Sequence, residues 1–211
     1  MRIIVPFISL DDLRDKAKDF LSRYHPSGSI PVPIDDIVEL ELRISVIPVE
    51  GLSHALGEPG LISRDLLTIR IDQNVLEKKP FLYRTTIAHE AAHAILHRDI
   101  FSRFSYSNEE GWIRLVQSID EKAFRHLEWQ AGALASLICV PRQALKREVG
   151  IAIQKATTAS AGLHETGSPL MLQYVSQYLS RVFEVQPSMV RQRIEDEGFL
   201  PPSAPSMQSK A

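Results

Sequence analysis

Apolar residues recur at helical spacing in Leu10, Leu13, Ala17 and Leu21, which predicts an amphipathic helix over 10–24. A Pro/Gly/Ser-rich turn, 26–33, leads to a short predicted helix, 34–40. Alternation in Arg43–Val49 predicts a strand, and Gly60–Ile71 reads as two short strands around Ser63-Arg64-Asp65, a hairpin. Beyond the hairpin the period becomes helical. Helices are expected over 81–98, 110–118, 121–138 and 142–155, then over 169–183 and 187–197. Residues 156–168, rich in Ala, Thr, Gly and Ser, read as a linker or mobile loop. The Pro/Ser-rich tail 201–211 is expected to be disordered. No internal repeat occurs. Few strands and many helices, segregated along the chain, imply an α+β fold with a helical C-terminal part.

Two of the predicted helices carry chemistry. The first contains His89-Glu90-Ala91-Ala92-His93. Residues four apart lie one above the other on a helix, so both imidazoles face the same way and can grip one Zn²⁺. Glu90 lies one step round, where a carboxylate can take a proton from water at the metal. The competing reading is a helix whose histidines pack or face solvent. The flanks favour the metal: Pro80 is a natural helix start, Ala88, Ala91, Ala92 and Ala94 admit close neighbours, and Ile87, Ile95 and Leu96 add apolar surface. Buried histidines need partners, and a metal satisfies two at once. His97 extends the row, but three histidines spaced by four span about 12 Å along a straight helix, too far for one ion. No glycine between His93 and His97 lets the chain turn back, so His97 reads as a supporting or packing residue.

The third ligand must come from elsewhere, and Glu128 is the candidate. Apolar residues at 124, 127, 131, 134, 135 and 138 mark a helix, and Glu128 points from the same stripe. A carboxylate there needs a metal or a cation, and Arg84 and Arg142 are the alternative partners. A second electrophilic donor could come from Tyr83, Arg84, Tyr106 or His126. His25, His54 and His164 read as loop residues, and Cys139 as a small core residue.

With these residues in place the chain resembles the ImmA/IrrE family of zinc metallopeptidases. Four stretches in order carry the resemblance: Ile30–Val38, Arg84–His97 with the zinc-binding motif, Glu128–Pro141 with a Glu-x-x-Ala helix ending in Pro, and the helical Leu179–Ile194. Together they cover residues 30–200. The resemblance implies a zincin-like fold with a small sheet beside the His-Glu-x-x-His helix. It implies Zn²⁺ held by His89, His93 and Glu128, with Glu90 as the catalytic base. It further implies a cytoplasmic regulatory endopeptidase that cuts a helix-turn-helix repressor. Two positions depart from the family pattern: Gly132 stands where Asn or Asp is usual, and Gln130 where an acid is more common. A non-enzymatic alternative keeps the zinc and sequesters the repressor or another partner. His97, Tyr83 and Arg84 are the candidates for supporting the ligands.

Composition narrows this little further. Apolar content of 44% and charged content of 24% are ordinary for a globular protein, and 211 residues suffice for a real core. A net charge of −2 argues against an electrostatic grip on nucleic acid or an anionic membrane. One cysteine excludes an internal disulfide framework and suits the cytoplasm. The N-terminus does not read as a signal peptide, and no stretch is long and apolar enough to span a membrane. The expected organisation is a metallopeptidase domain, 1–155, the linker 156–168, and a helix-turn-helix-like annex, 169–200. That annex is net acidic: Arg181, Arg191 and Arg193 face Glu184, Glu195, Asp196 and Glu197.

Overall fold

The structure, a computed structural model, describes residues 4–103, 111, 114–115, 118–159 and 168–200. Residues 1–139 and 140–211 form two compact units.

In the first unit, α1 (Leu10–Tyr24) begins at a capping box in which Ser9 and Asp12 satisfy each other's backbone N–H groups. It buries Leu13, Ala17 and Phe20. After the turn, α2 (Ile34–Asp36) runs into a π-helical turn, Ile37–Glu41, and then β1 (Ser45–Val49). A short helix, α3 (Leu52–Leu56), precedes β2 (Gly60–Ile62) and β3 (Thr68–Asp72). The strand order is β1-β3-β2: β2 pairs antiparallel with β3 as the hairpin, whereas β1 joins the other side of β3 in parallel. That parallel pairing has no signature in the sequence, because a long-range register leaves no local trace there. The apolar side chains of β3, Ile69 and Ile71, are fully buried.

Asp72 ends β3 and caps the next helix, α4 (Gln73–Lys78), accepting from the backbone N–H of Asn74 and Val75. The long helix α5 (Pro80–Leu96) follows, with Pro80 in its first turn as expected. Its alanines are buried, and β2 and β3 pack along it on one side. Gly60 makes the close approach possible: a Cβ there would lie 2.5 Å from Thr86 Cγ2. After α6 (Arg98–Phe101) comes α7 (Glu121–Cys139), whose first turn is capped by Asp120. Helices α1 and α5 both pack against α7. The result is an α+β unit with a small mixed sheet beside α5. Of the helix expected over 110–118, residues 111, 114, 115 and 118 are described and are helical, and the others lie outside the described residues.

In the second unit, α8 (Arg142–Ala159) packs on α9 (Pro169–Phe183), which packs on α10 (Pro187–Glu197). The expected boundary at 155 is thus displaced. Leu145, Val149, Ala152 and Ala156 are buried in this second unit, so α8 belongs with the C-terminal helices. Residues 156–159 continue α8 as helix, and the rest of the expected linker, up to 167, lies outside the described residues, as does the tail 201–211. Between α9 and α10 the chain turns at Glu184, with φ 53°, and Ser180 Oγ donates to the Val185 carbonyl at 2.6 Å. Arg193 is fully buried against Glu197, with Nη1 2.9 Å from Oε1, so only two of the three arginines of 169–198 can face a ligand. Among the described residues no helix is long and apolar enough to cross a membrane.

Candidate metal centre

Helix α5 presents His89 and His93 one turn apart, and α7 brings Glu128 against them. His93 Nε2 lies 3.2 Å from His89 Nε2. Glu128 Oε2 is 3.0 Å from His89 Nε2, and Oε1 is 3.6 Å from His93 Nε2. All three ligand atoms fall within 4.8 Å of one another. A tetrahedral zinc with bonds of 2.0–2.1 Å holds neighbouring ligand atoms roughly 3.3 Å apart. Two imidazole nitrogens and a carboxylate, all lone-pair donors at that spacing, fit one shared cation. Arg84 and Arg142, the alternative partners for Glu128, are engaged elsewhere: Arg84 Nη1 pairs with Asp35 at 3.2 Å, and Arg142 pairs with Glu197 within the second unit.

The electrostatics follow from this convergence. Burial disfavours charge on His89, but the hydrogen bond to Glu128 and the charges of Glu90, Glu128 and Glu58 outweigh it and raise its pKa. Burial also opposes charge on Glu128, yet its two histidine partners hold the carboxyl well below the usual range. Desolvation, then the charges of Glu128 and Glu90, push up the pKa of Glu58 in the segment before β2. A third carboxylate therefore shares the field of the centre.

Glu90 is buried next to His89 in the chain, and its Oε2 accepts a 2.8 Å hydrogen bond from the backbone N–H of Ile62. The motif's carboxylate is thus anchored to β2. His97, at the C-cap of α5, is not part of the three-atom cluster. Its Nδ1 lies 3.0 Å from His93 Nδ1, and its Nε2 lies 3.0 Å from Gln130 Oε1. Gln130 Nε2 in turn donates to the Pro6 carbonyl at 2.7 Å. Burial, then the proximity of His93, lower the pKa of His97 to about 4, so the ring is neutral.

The remaining expected residues scatter. Arg84 also donates to the Val32 carbonyl and so clamps α5 to the segment before α2. Tyr83 stands in the field of Asp35 and Glu39; burial and those charges push its hydroxyl up to about 12. His126 makes tilted ring contacts with Phe7 and Trp129. Tyr106 and His164 lie outside the described residues. The Cys139 thiol is buried and pushed up to about 12, an inert group. Gln130, a departure from the family pattern, has a place that is legible in the sequence. It stands three after Leu127 and four before Leu134, hence on the buried face of α7. Gly132, the other departure, faces His89: a Cβ there would be 3.9 Å from Nδ1, with no side chain to meet it.

No family model matches the chain, and no curated protein matches it. Among solved structures, a Mycobacterium tuberculosis protein described as a transcriptional regulator is similar in fold. The match has a TM-score of 0.53 and 16% sequence identity over 88% of this chain. It covers 46% of that protein, so this chain spans under half the neighbour's length.

Proposed function

We propose that the protein is a zinc-dependent endopeptidase of the zincin-like kind, related to the ImmA/IrrE metallopeptidases, acting in the cytoplasm on a protein substrate. One observation carries the reading: His89, His93 and Glu128 converge at metal-ligand spacing while Glu90, from the same helix, is held at the centre by the Ile62 N–H. Three protein ligands leave the fourth position of a tetrahedral ion open, which distinguishes a catalytic zinc from a structural one. Bound there, zinc supplies Lewis acidity toward a peptide carbonyl and toward water. Glu90 then acts as the base. With Oε2 fixed by Ile62, the other oxygen takes up the proton of the attacking water and returns it to the leaving amine. Strand β2 lies at the sheet edge beside the centre, where an extended peptide can add main-chain hydrogen bonds. A specific helix-turn-helix repressor is the proposed substrate class. The net acidic α9–α10 segment is assigned to packing or substrate docking, with no direct nucleic-acid contact.

The test is incubation of the purified protein with the repressor encoded beside it, with and without a chelator. A single cut that requires both metal and Glu90 supports the peptidase. Intact repressor held in a stable complex, unaffected by Glu90→Gln, would replace it with the sequestration reading, which the bare Gly132 opposite His89 favours.

A further inference from the structure

The chain Pro6–Gln130–His97–His93 runs by hydrogen bonds from the start of the fold to a proposed metal ligand. Its polarity can be worked out from one end. A carbonyl only accepts, so the Gln130 atom 2.7 Å from the Pro6 oxygen must be the amide nitrogen. The amide oxygen therefore faces His97 Nε2, at 3.0 Å, and that nitrogen must carry a proton. His97 is 1% exposed and its ring nitrogens meet Gln130 and His93, neither of which offers a carboxylate, so a second proton would bury an uncompensated charge. Its Nδ1 is thus bare. The proton in the 3.0 Å gap between the two Nδ1 atoms then belongs to His93. A neutral His93 protonated at Nδ1 has a bare Nε2, and Nε2 is the atom that faces His89 and Glu128.

We propose that Gln130, oriented by the Pro6 carbonyl, is a positioning residue that sets the tautomer of His93 through His97 and so presents the Nε2 lone pair to the metal. An amide would otherwise be free to turn either end toward His97; the Pro6 carbonyl removes that freedom. With the amide reversed, every proton along the row would shift by one place, and His93 Nε2 would carry hydrogen where the metal must bind. The departure at position 130 thus keeps the acceptor that an acid would provide, and ties it to a segment 124 residues away in sequence.

This inference rests on the reading of His93 as a ligand, and the experiment separates the two. Nitrogen-15 NMR of the imidazoles in the metal-free protein reads the tautomer directly, whether or not zinc binds afterwards. The expected result is His93 protonated at Nδ1, with His97 protonated at Nε2 and bare at Nδ1. Zinc titration then compares wild type with Gln130→Glu, which retains an acceptor, and Gln130→Met, which has none. The Met variant should lose about ten- to a hundred-fold in zinc affinity and show mixed His93 tautomers, while the Glu variant stays near wild type. A bare His93 Nδ1 in the metal-free wild type would overturn the proposal, even if Gln130→Met failed to fold. So would an unchanged tautomer and affinity in a folded Gln130→Met protein. Failure of the wild type to take up zinc would instead count against the metal reading, leaving the tautomer to be judged by NMR.

Discussion

The backbone N–H of Ile62 donates to Glu90 Oε2 at 2.8 Å, joining strand β2 to the acidic residue of the His-Glu-x-x-His motif. The bond fixes the carboxylate's rotation and sets the position of the strand edge relative to His89 and His93. Glu90→Gln can keep an oxygen acceptor for Ile62 but cannot take up a proton. The variant should fold, bind zinc as wild type does, and lose about 10²–10⁴-fold in peptide cleavage. Metal analysis beside a turnover assay reads both halves; wild-type turnover in the variant removes Glu90 as the base.

Glu128 is the proposed ligand brought in by α7. Glu128→Ala leaves His89 Nε2 and His93 Nε2 3.2 Å apart without the carboxylate between them. Zinc content measured after dialysis should fall from about one per chain to a small fraction. Full occupancy in the variant would mean that the third ligand is another group.

Gly132 stands opposite His89 Nδ1, with room for a side chain whose Cβ would be 3.9 Å away. An amide or carboxylate there can accept from Nδ1–H and fix the tautomer of His89, the first proposed ligand. Gly132→Asn should raise zinc affinity about ten-fold in a competition titration with a chelating dye. Unchanged or weaker affinity would show that His89 is already oriented without it.

Gly60 carries the close packing of β2 on α5. In Gly60→Ala the new methyl would lie 2.5 Å from Thr86 Cγ2 and 3.3 Å from the Arg70 carbonyl oxygen, so the strand or helix must shift. The expected loss is about 1–3 kcal/mol in urea unfolding, partly recovered by adding Thr86→Ser, which deletes the clashing methyl. Equal losses in the single and double variants would locate the strain elsewhere.

His97 is buried neutral, with a pKa of about 4 against an ordinary 6.5. Between those values the unfolded chain binds a proton that the native state refuses, so stability rises with pH and is lost as pH falls from about 6.5 to 4. The contribution is at most about 3 kcal/mol. Metal-free His97→Gln should show a shallower decline over that window than wild type, measured by urea unfolding at several pH values. Parallel declines would assign the acid sensitivity to other groups.

Local signals determined much of this protein. Helical periodicity located α1, α5 and α7 to within two residues, Pro80 marked the start of α5, and the alternating runs around Ser63-Arg64-Asp65 located the hairpin. The four-residue spacing of His89 and His93 fixed their common direction, because one helix turn does so whatever surrounds it. The position of Glu128 on an apolar stripe named it as a carboxylate in need of a partner, although its side chain is only part-buried.

Tertiary structure decided the rest, since it depended on which surfaces meet. Only the packing of α7 on α5 selected the histidines over Arg84 and Arg142 as partners of Glu128, and only the sheet's place beside α5 gave Glu90 to Ile62. The parallel pairing of β1 with β3 and the bond from Pro6 to Gln130 join segments far apart in sequence. The assignment of α8 to the second unit turned on which neighbours buried its apolar face, and an amphipathic helix does not name the surface that will cover it.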